Sequence, residues 1–371
     1  MLDASYIAEE HRSIESVIRR RLFPRAKIAN RVLFPPQRAN GTVLQSNISA
    51  AWRVSLHAGN ATGEERKKMK QEKKLRSLAT LYRVDDGKKF RLRDYDPGDT
   101  AGLPKEFKEE SEQLLQRSTQ LLAELQDQLY AQDRWALLLI FQAMDAGGKD
   151  GTIKHVMSGV NPQGCQVFSF KAPSAEELAH GYMWRTSKCM PGRGKIGIFN
   201  RSYYEEVLVV RVHPELLEAQ YLPPSCVNDK IWNERFQDIA AFERYATRNG
   251  IAIRKFFLNL SKQEQKQRFL ARLDLPQKNW KFSASDVRER RYWDNYQQNY
   301  EDMIRHTSSK HAPWIVVPAD NKWFARLVVS SAIVHALEDM KLSYPEVDDE
   351  KRRALAAARR ELEGKLKPKK A

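Results

Sequence analysis

The segment QAMDAGGKDGTIKHV, residues 142–156, gathers the residue types that phosphate chemistry uses. Lys149 and two aspartates, Asp145 and Asp150, interleave with Gly147, Gly148 and Gly151 directly after the apolar run Leu137–Gln142. A strand, a glycine turn and a helix opening near Thr152 would aim backbone N–H groups and a helix N-terminus at phosphate oxygens, with the lysine adding a point charge. Against the general phosphate-loop pattern G-x-x-x-x-G-K-[ST] the match is partial. Ala143 stands at its first glycine and Asp150 at its magnesium-binding hydroxyl. Thr152 and Asp145 are each placed to help hold a magnesium ion, directly or through water. An ordinary strand-to-helix turn with a surface lysine fits this segment, taken alone, equally well.

Two further groupings lie downstream. GIFNRSYYEEVLVVRVHPE, residues 197–215, puts Asn200, Arg201 and Ser202 at a strand's carboxyl end, where a Walker-B carboxylate would stand, with Glu205 and Glu206 just beyond. Asn200 can accept from a metal-bound water but carries no charge. A loop with helix-capping polar groups and a solvated acidic pair is the simpler reading. RFLARLDLPQKNWKFSASDVRERR, residues 268–291, sets seven cations against Asp274, Asp286 and Glu289. Arg268 and Arg272, four apart, share one helix face and suit successive phosphates, and Lys278 and Lys281 follow. This reads as a basic helical lid over a phosphate loop, or as separate surface cations with Trp280 anchored in a core.

The elements that must position these residues are legible from patterning. Leu137–Gln142, Cys165–Phe170, Ile196–Asn200, Ile251–Leu260 and Trp314–Val317 read as apolar strands, with helical stretches between them. Such alternation predicts an α/β fold with a parallel sheet and helices on both faces, ligands binding beyond the strands' carboxyl ends. Leucines at 114, 115, 121, 122, 125 and 129 predict a helix over Glu106–Tyr130, and residues 82–103 are expected to be extended.

A chain of 371 residues is ample for a large core. Cys165, Cys189 and Cys226, odd in number and without C-x-x-C spacing, exclude a disulfide-stapled miniprotein and a zinc framework, and are expected as buried packing residues in a reducing cytoplasm. No apolar run approaches the roughly 20 residues of a membrane span, mean hydropathy is −0.64, and no signal peptide is evident. The net charge of +16 is concentrated at the ends: residues 1–75 hold 15 Lys/Arg against 7 Asp/Glu, and residues 351–371 hold 9 against 2. Residues 1–75 are expected to form a disordered basic extension, of which residues 1–68 are expected to be dispensable for activity and absent if translation starts at Met69. Residues 76–347 form the catalytic domain, with the lid at about 262–291, and 348–371 a solvated basic tail.

Taken together, YRVDDGKKFRLRDYDPGDT, AMDAGGKDGTIKHV, FNRSYYEEVLVVRVHPE, RLDLPQKNWKFSASD and APWIVVPADNKWFARL resemble the family-two polyphosphate kinases, from about Tyr82 to Tyr344. The resemblance implies a three-layer α/β/α phosphate-loop kinase fold with a helical lid, magnesium as cofactor, and a homo-oligomer, dimer or tetramer. It assigns Asp145 and Lys149 to holding the transferring phosphate and the metal, with Gly147, Gly148 and Gly151 admitting the backbone. Arg201 is the arginine after the Walker-B-like position, and Arg268 and Arg272 are lid cations. Asn200, where many members carry Asp, together with the following Tyr-Glu-acidic string, looks like the branch that accepts nucleoside monophosphates as well as diphosphates.

The expected activity is in-line transfer from polyphosphate to AMP or ADP. The competing readings are an ATP-dependent nucleoside monophosphate kinase, which needs no cation array for a long polyanion, and a nucleic-acid-binding protein using the basic arms, which leaves Lys149 and the lid unexplained.

Overall fold

The apolar runs form the centre of the molecule in the computed structural model, which describes residues 77–365. Six strands, β1 Arg83–Asp86, β2 Ala136–Gln142, β3 Cys165–Ser169, β4 Ile196–Asn200, β5 Ile251–Asn259 and β6 Ser309–Pro318, make one sheet in the order β1-β6-β5-β2-β4-β3. The five from β2 to β6 are parallel. The edge strand β1 runs antiparallel to β6, a departure from the wholly parallel expectation, and its register breaks between Val84 and Asp86. An edge position tolerates such a strand because no crossover has to reach it.

The principal helices are α1 Lys108–Gln132, α2 Lys149–Val156, α3 Glu205–Val212, α4 Ile231–Arg248, α5 Lys262–Asp274, α6 Trp293–Thr307, α7 Lys322–Asp339 and α8 Asp349–Lys365. Alternate side chains of the central strands serve opposite faces. Leu137, Leu139 and Phe141 pack with Leu122 and Leu129 of α1, Val156 of α2 and Phe324 to Leu337 of α7. Leu138 and Ile140 pack with Leu208 of α3, Phe236 and Ile239 of α4 and Tyr300 to Ile304 of α6. This is the three-layer α/β/α arrangement expected from strands buried on both sides.

The connections place the site. From β2 the chain passes to β3 and β4 on one side, then crosses to β5 and β6 on the other. A crevice therefore opens beyond the carboxyl end of β2, where open α/β sheets bind ligands.

Four expectations are corrected. Residues 82–103 are extended only over β1, then turn through short 3-10 segments at Gly87–Lys89 and Leu92–Asp94, because Asp86 caps the first through Lys88 N–H and Glu301 accepts from Leu92 N–H. Of the cysteines, Cys165 and Cys189 are partly buried and pack against the two cores, but Cys226 is exposed, in a proline-rich stretch outside the sheet. The basic tail, expected only as a solvated segment, is helical over Asp349–Lys365. Its run of alanines and an Arg359–Glu363 pair one turn apart favour helix although residues 349–364 are all exposed. Trp280 is no core anchor, being 78% exposed. The proposed extension 1–75 lies outside the described residues.

Candidate active site

The loop after β2 is shaped by steric necessity. Gly148, the residue before α2, has φ 96°, and Ala146 is left-handed at φ 61°. A Cβ on Gly147 would stand 2.5 Å from Ala143 Cβ and 2.8 Å from Met144 O, so only glycine fits there. Gly151 differs, since a Cβ there would meet nothing within 4 Å. The helix opens at Lys149, three residues earlier than read from sequence. Thr152 is buried, and its N–H donates to Gly148 O at 2.9 Å.

Lys149 is half-buried and donates to Ala143 O at 2.7 Å. Burial and the neighbouring Arg201 push its pKa down, while Asp145, Glu205 and Asp150 hold it up. A phosphate entering the loop would relieve this crowding of cations. Arg201 reaches across from the turn after β4, 3.1 Å from Asp145 Oδ1. Burial works against its charge, but Glu205 and Asp145 more than offset that, and its pKa is raised. Asn200 Nδ2 donates to Asp150 Oδ1 at 2.7 Å, and Gln142 Nε2 to Glu205 Oε1 at 2.8 Å.

The segment 262–291 folds over this loop and is tied to it at its base. Gln265 Nε2 donates to Asp145 O at 2.9 Å. Arg268, with 9% of its side chain exposed, directs Nε to Glu264 and its other nitrogens to the carbonyls of Ala146, Gly147, Ala319 and Asp320. A guanidinium has five N–H donors, so protein acceptors engage all of them. Arg272 pairs with Asp286 at 3.0 Å. Asp286 has its pKa raised by burial and then by Asp145, with Arg272 opposing.

Two cavities meet at the loop. The larger, about 700 Å³, is lined by nine lysines and arginines and three aspartates, and takes in Gly147, Gly148, Gly151, Thr152, Asn200, Lys278, Lys281 and Trp280. The smaller, about 300 Å³, carries Glu205, Glu289, His213, Tyr296 and Tyr300. Asp145, Arg201 and Asp286 line both.

The structure thus brings together every residue singled out from sequence except Ser202, which is fully buried beneath the turn, and Glu206, which faces away. Glu206 is 7% exposed and is held by Arg235 of α4 and by Gln220 Nε2 at 2.8 Å. The acidic pair therefore splits between two structures, Glu205 at the site and Glu206 in an ion pair behind it. Lys171, Lys322, Arg326 and Asp286 line the larger cavity but were not singled out. The signal for two of them was available: Lys322 and Arg326 are four apart on the first turns of the helix that follows β6.

The donor set suits magnesium. Among the described residues no three carboxylates, histidines or cysteines gather into a cage, and magnesium at phosphates needs none, since it binds through one or two carboxylates, substrate phosphates and waters. Asp145, which lines both cavities beside the loop, is the carboxylate placed to do so.

Comparison with known proteins agrees with this geometry. The family model for Polyphosphate kinase 2 (PPK2) matches residues 105–345. The chain belongs to the polyphosphate kinase 2 family. An ADP-polyphosphate phosphotransferase of Rhodopseudomonas palustris is 54% identical over 258 residues, 69% of this chain and 89% of that one. An AMP/ADP-polyphosphate phosphotransferase of Meiothermus ruber is 43% identical over 265 residues, 71% and 95% of the two chains. The crystal structure of Polyphosphate Kinase 2 from Arthrobacter aurescens TC1 superposes with a TM-score of 0.68 at 40% identity, covering 76% of this chain and 96% of that one. Membership in the PPK2 family identifies the fold as that of a kinase.

Proposed function

We propose that this PPK2 chain transfers the terminal phosphoryl group of inorganic polyphosphate to AMP or ADP, reversibly, with magnesium. The observation that carries the reading is the larger cavity, whose lining adds Lys171, Arg272, Lys278, Lys281, Lys322 and Arg326 to Lys149, more cations than one phosphate loop supplies. A monophosphate kinase using ATP has no need of so large a cation array. The acceptor's phosphate oxygen forms the new P–O bond, the bond to the polyphosphate chain breaks, and the chain leaves one unit shorter.

Transfer of this kind is mostly positioning and neutralisation of charge on the equatorial oxygens. Lys149, Arg201 and the N–H groups of Gly148 to Asp150 hold the transferring group. Asp145, with substrate phosphates, would hold magnesium, which supplies further neutralisation. Arg272, Lys278 and Lys281 follow the polyanion, while Arg268 braces the loop. The smaller cavity, with Glu205 and tyrosines but without the lysine array, suits a nucleoside.

Solubility, homo-oligomeric assembly as a dimer or tetramer, and a cytoplasmic location belong to the same reading. It is supported by free cysteines, by exposed Leu216, Tyr221 and Val227 in one stretch of chain, and by the finding that no helix of the described residues is long and apolar enough to cross a membrane. The test is to supply AMP with either polyphosphate or ATP, with and without a magnesium chelator. Magnesium-dependent ADP formation from polyphosphate is expected. Efficient use of ATP with polyphosphate untouched would overturn the reading.

A further inference from the structure

Arg201 has a left-handed backbone, φ 64°, a conformation that a side chain with a Cβ keeps only where its surroundings hold it. Its N–H donates to Phe141 O at 3.0 Å, and the next three residues, Ser202, Tyr203 and Tyr204, are at most 1% exposed. Both tyrosine hydroxyls donate to one atom, Glu243 Oε1 on α4, at 2.9 and 2.7 Å. Glu243 Oε2 in turn accepts from Lys255 Nζ of β5 at 2.6 Å. Lys255, 0% exposed, spends its remaining N–H groups on Tyr204 Oη at 3.0 Å and Thr307 O at 2.8 Å.

No atom of this pair lines either cavity. Burying two charges is unfavourable unless geometry and hydrogen bonding compensate, and apolar replacement of such a pair is often neutral or stabilising. Its presence is therefore better explained by specificity of structure than by stability. We infer that the buried Glu243–Lys255 pair is a positioning device for the reaction, holding the Arg201–Glu205 turn in register through the hydroxyls of Tyr203 and Tyr204. From α4 the turn is held by these two hydrogen bonds and by Phe242, edge-on to the Tyr203 ring at 5.8 Å, and its two ends present Arg201 to Asp145 and Glu205 to Gln142. Because phosphoryl transfer depends on placement, a shift of about 1 Å in such groups lowers turnover by up to about 100-fold.

The inference rests on the polyphosphate-transfer reading, and the experiment separates the two. Steady-state kcat and KM for polyphosphate and ADP are measured for the full chain, for Glu243→Leu/Lys255→Met, and for Tyr203→Phe/Tyr204→Phe, together with unfolding midpoints. Ile333→Ala, a core truncation on α7, controls for general loosening. Wild-type inactivity would defeat the functional reading alone. With wild type active, both double variants are expected to lose about 10- to 100-fold in kcat with KM changed less than about 3-fold, while Ile333→Ala keeps its kcat. Wild-type kcat in either folded double variant, or an equal loss in Ile333→Ala, would overturn the positioning role. If the charged-pair variant does not fold, the tyrosine variant, which removes only two hydroxyl groups, decides the matter by the same criteria.

Discussion

Replacing Arg268 by lysine separates a brace from a phosphate clamp. The charge is kept, but a lysine has three donors where the guanidinium has five, and it lacks the planar fork that serves carbonyls on two loops at once. At least two of the bonds to Glu264, Ala146, Gly147, Ala319 and Asp320 must go. Hydrogen bonds to charged groups contribute about 1.5–3 kcal/mol each, and water replaces part of the loss, so a destabilisation of about 2–4 kcal/mol follows. For a domain of this size that lowers Tm by roughly 5–10 °C. The phosphate loop loses its tie to α5, so kcat should fall by about 10-fold or more while KM for polyphosphate changes little. Thermal unfolding and steady-state kinetics on the same preparation provide the assay. Wild-type Tm with a strongly raised KM for polyphosphate would refute the brace and return Arg268 to direct contact with substrate.

Lys149→Ala and Asp145→Asn should each lower turnover by orders of magnitude and move Tm by only a few degrees, because both face the cavities; near-wild-type turnover in either would remove them from the mechanism. Arg272→Ala, whose partner Asp286 lies within the same segment, should impair long polyphosphate more than short, and equal losses across chain lengths would argue against tracking. His213 lies 3.0 Å from Glu289 and 3.2 Å from Glu215. Burial pulls its pKa down, but the two glutamates outweigh it and the value is raised. A raised folded pKa stabilises fully below the unfolded value of about 6.5, and that stabilisation disappears as pH rises through the folded value. Wild type should therefore exceed His213→Gln in urea midpoint at about pH 6, by a margin that shrinks as pH rises; a margin that grows with pH would contradict the pairing.

The central strands β2, β4 and β5 were legible because each is an apolar run buried on both sides, which leaves little ambiguity once helices separate them. The phosphate loop was legible for a similar reason: Gly147 admits no Cβ, and such a requirement shows in the sequence as a glycine. What stayed hidden depends on long-range geometry. Nothing local distinguishes Glu205 from Glu206; their fates diverge because successive helix positions point about 100° apart, one toward Gln142 and one toward Arg235 of α4. Arg268 and Arg272 look alike in the helix pattern, yet one is consumed by carbonyls of two distant loops and the other pairs within the lid. Trp280 reads as a core residue by type, and only the fold reveals that it sits at the cavity mouth. Lys255 is invisible in the apolar run Ile251–Leu260 until Glu243 and the two tyrosines meet it in space.

The most direct measurement supplies purified protein with ADP, long-chain polyphosphate and magnesium, with no nucleoside triphosphate present, and follows ATP formation in wild type and Lys149→Ala side by side. The account predicts steady ATP production by wild type, shortening of the polyphosphate one unit per ATP, and a loss of at least about 100-fold in the variant. Wild type that leaves polyphosphate intact while phosphorylating AMP from ATP would contradict it.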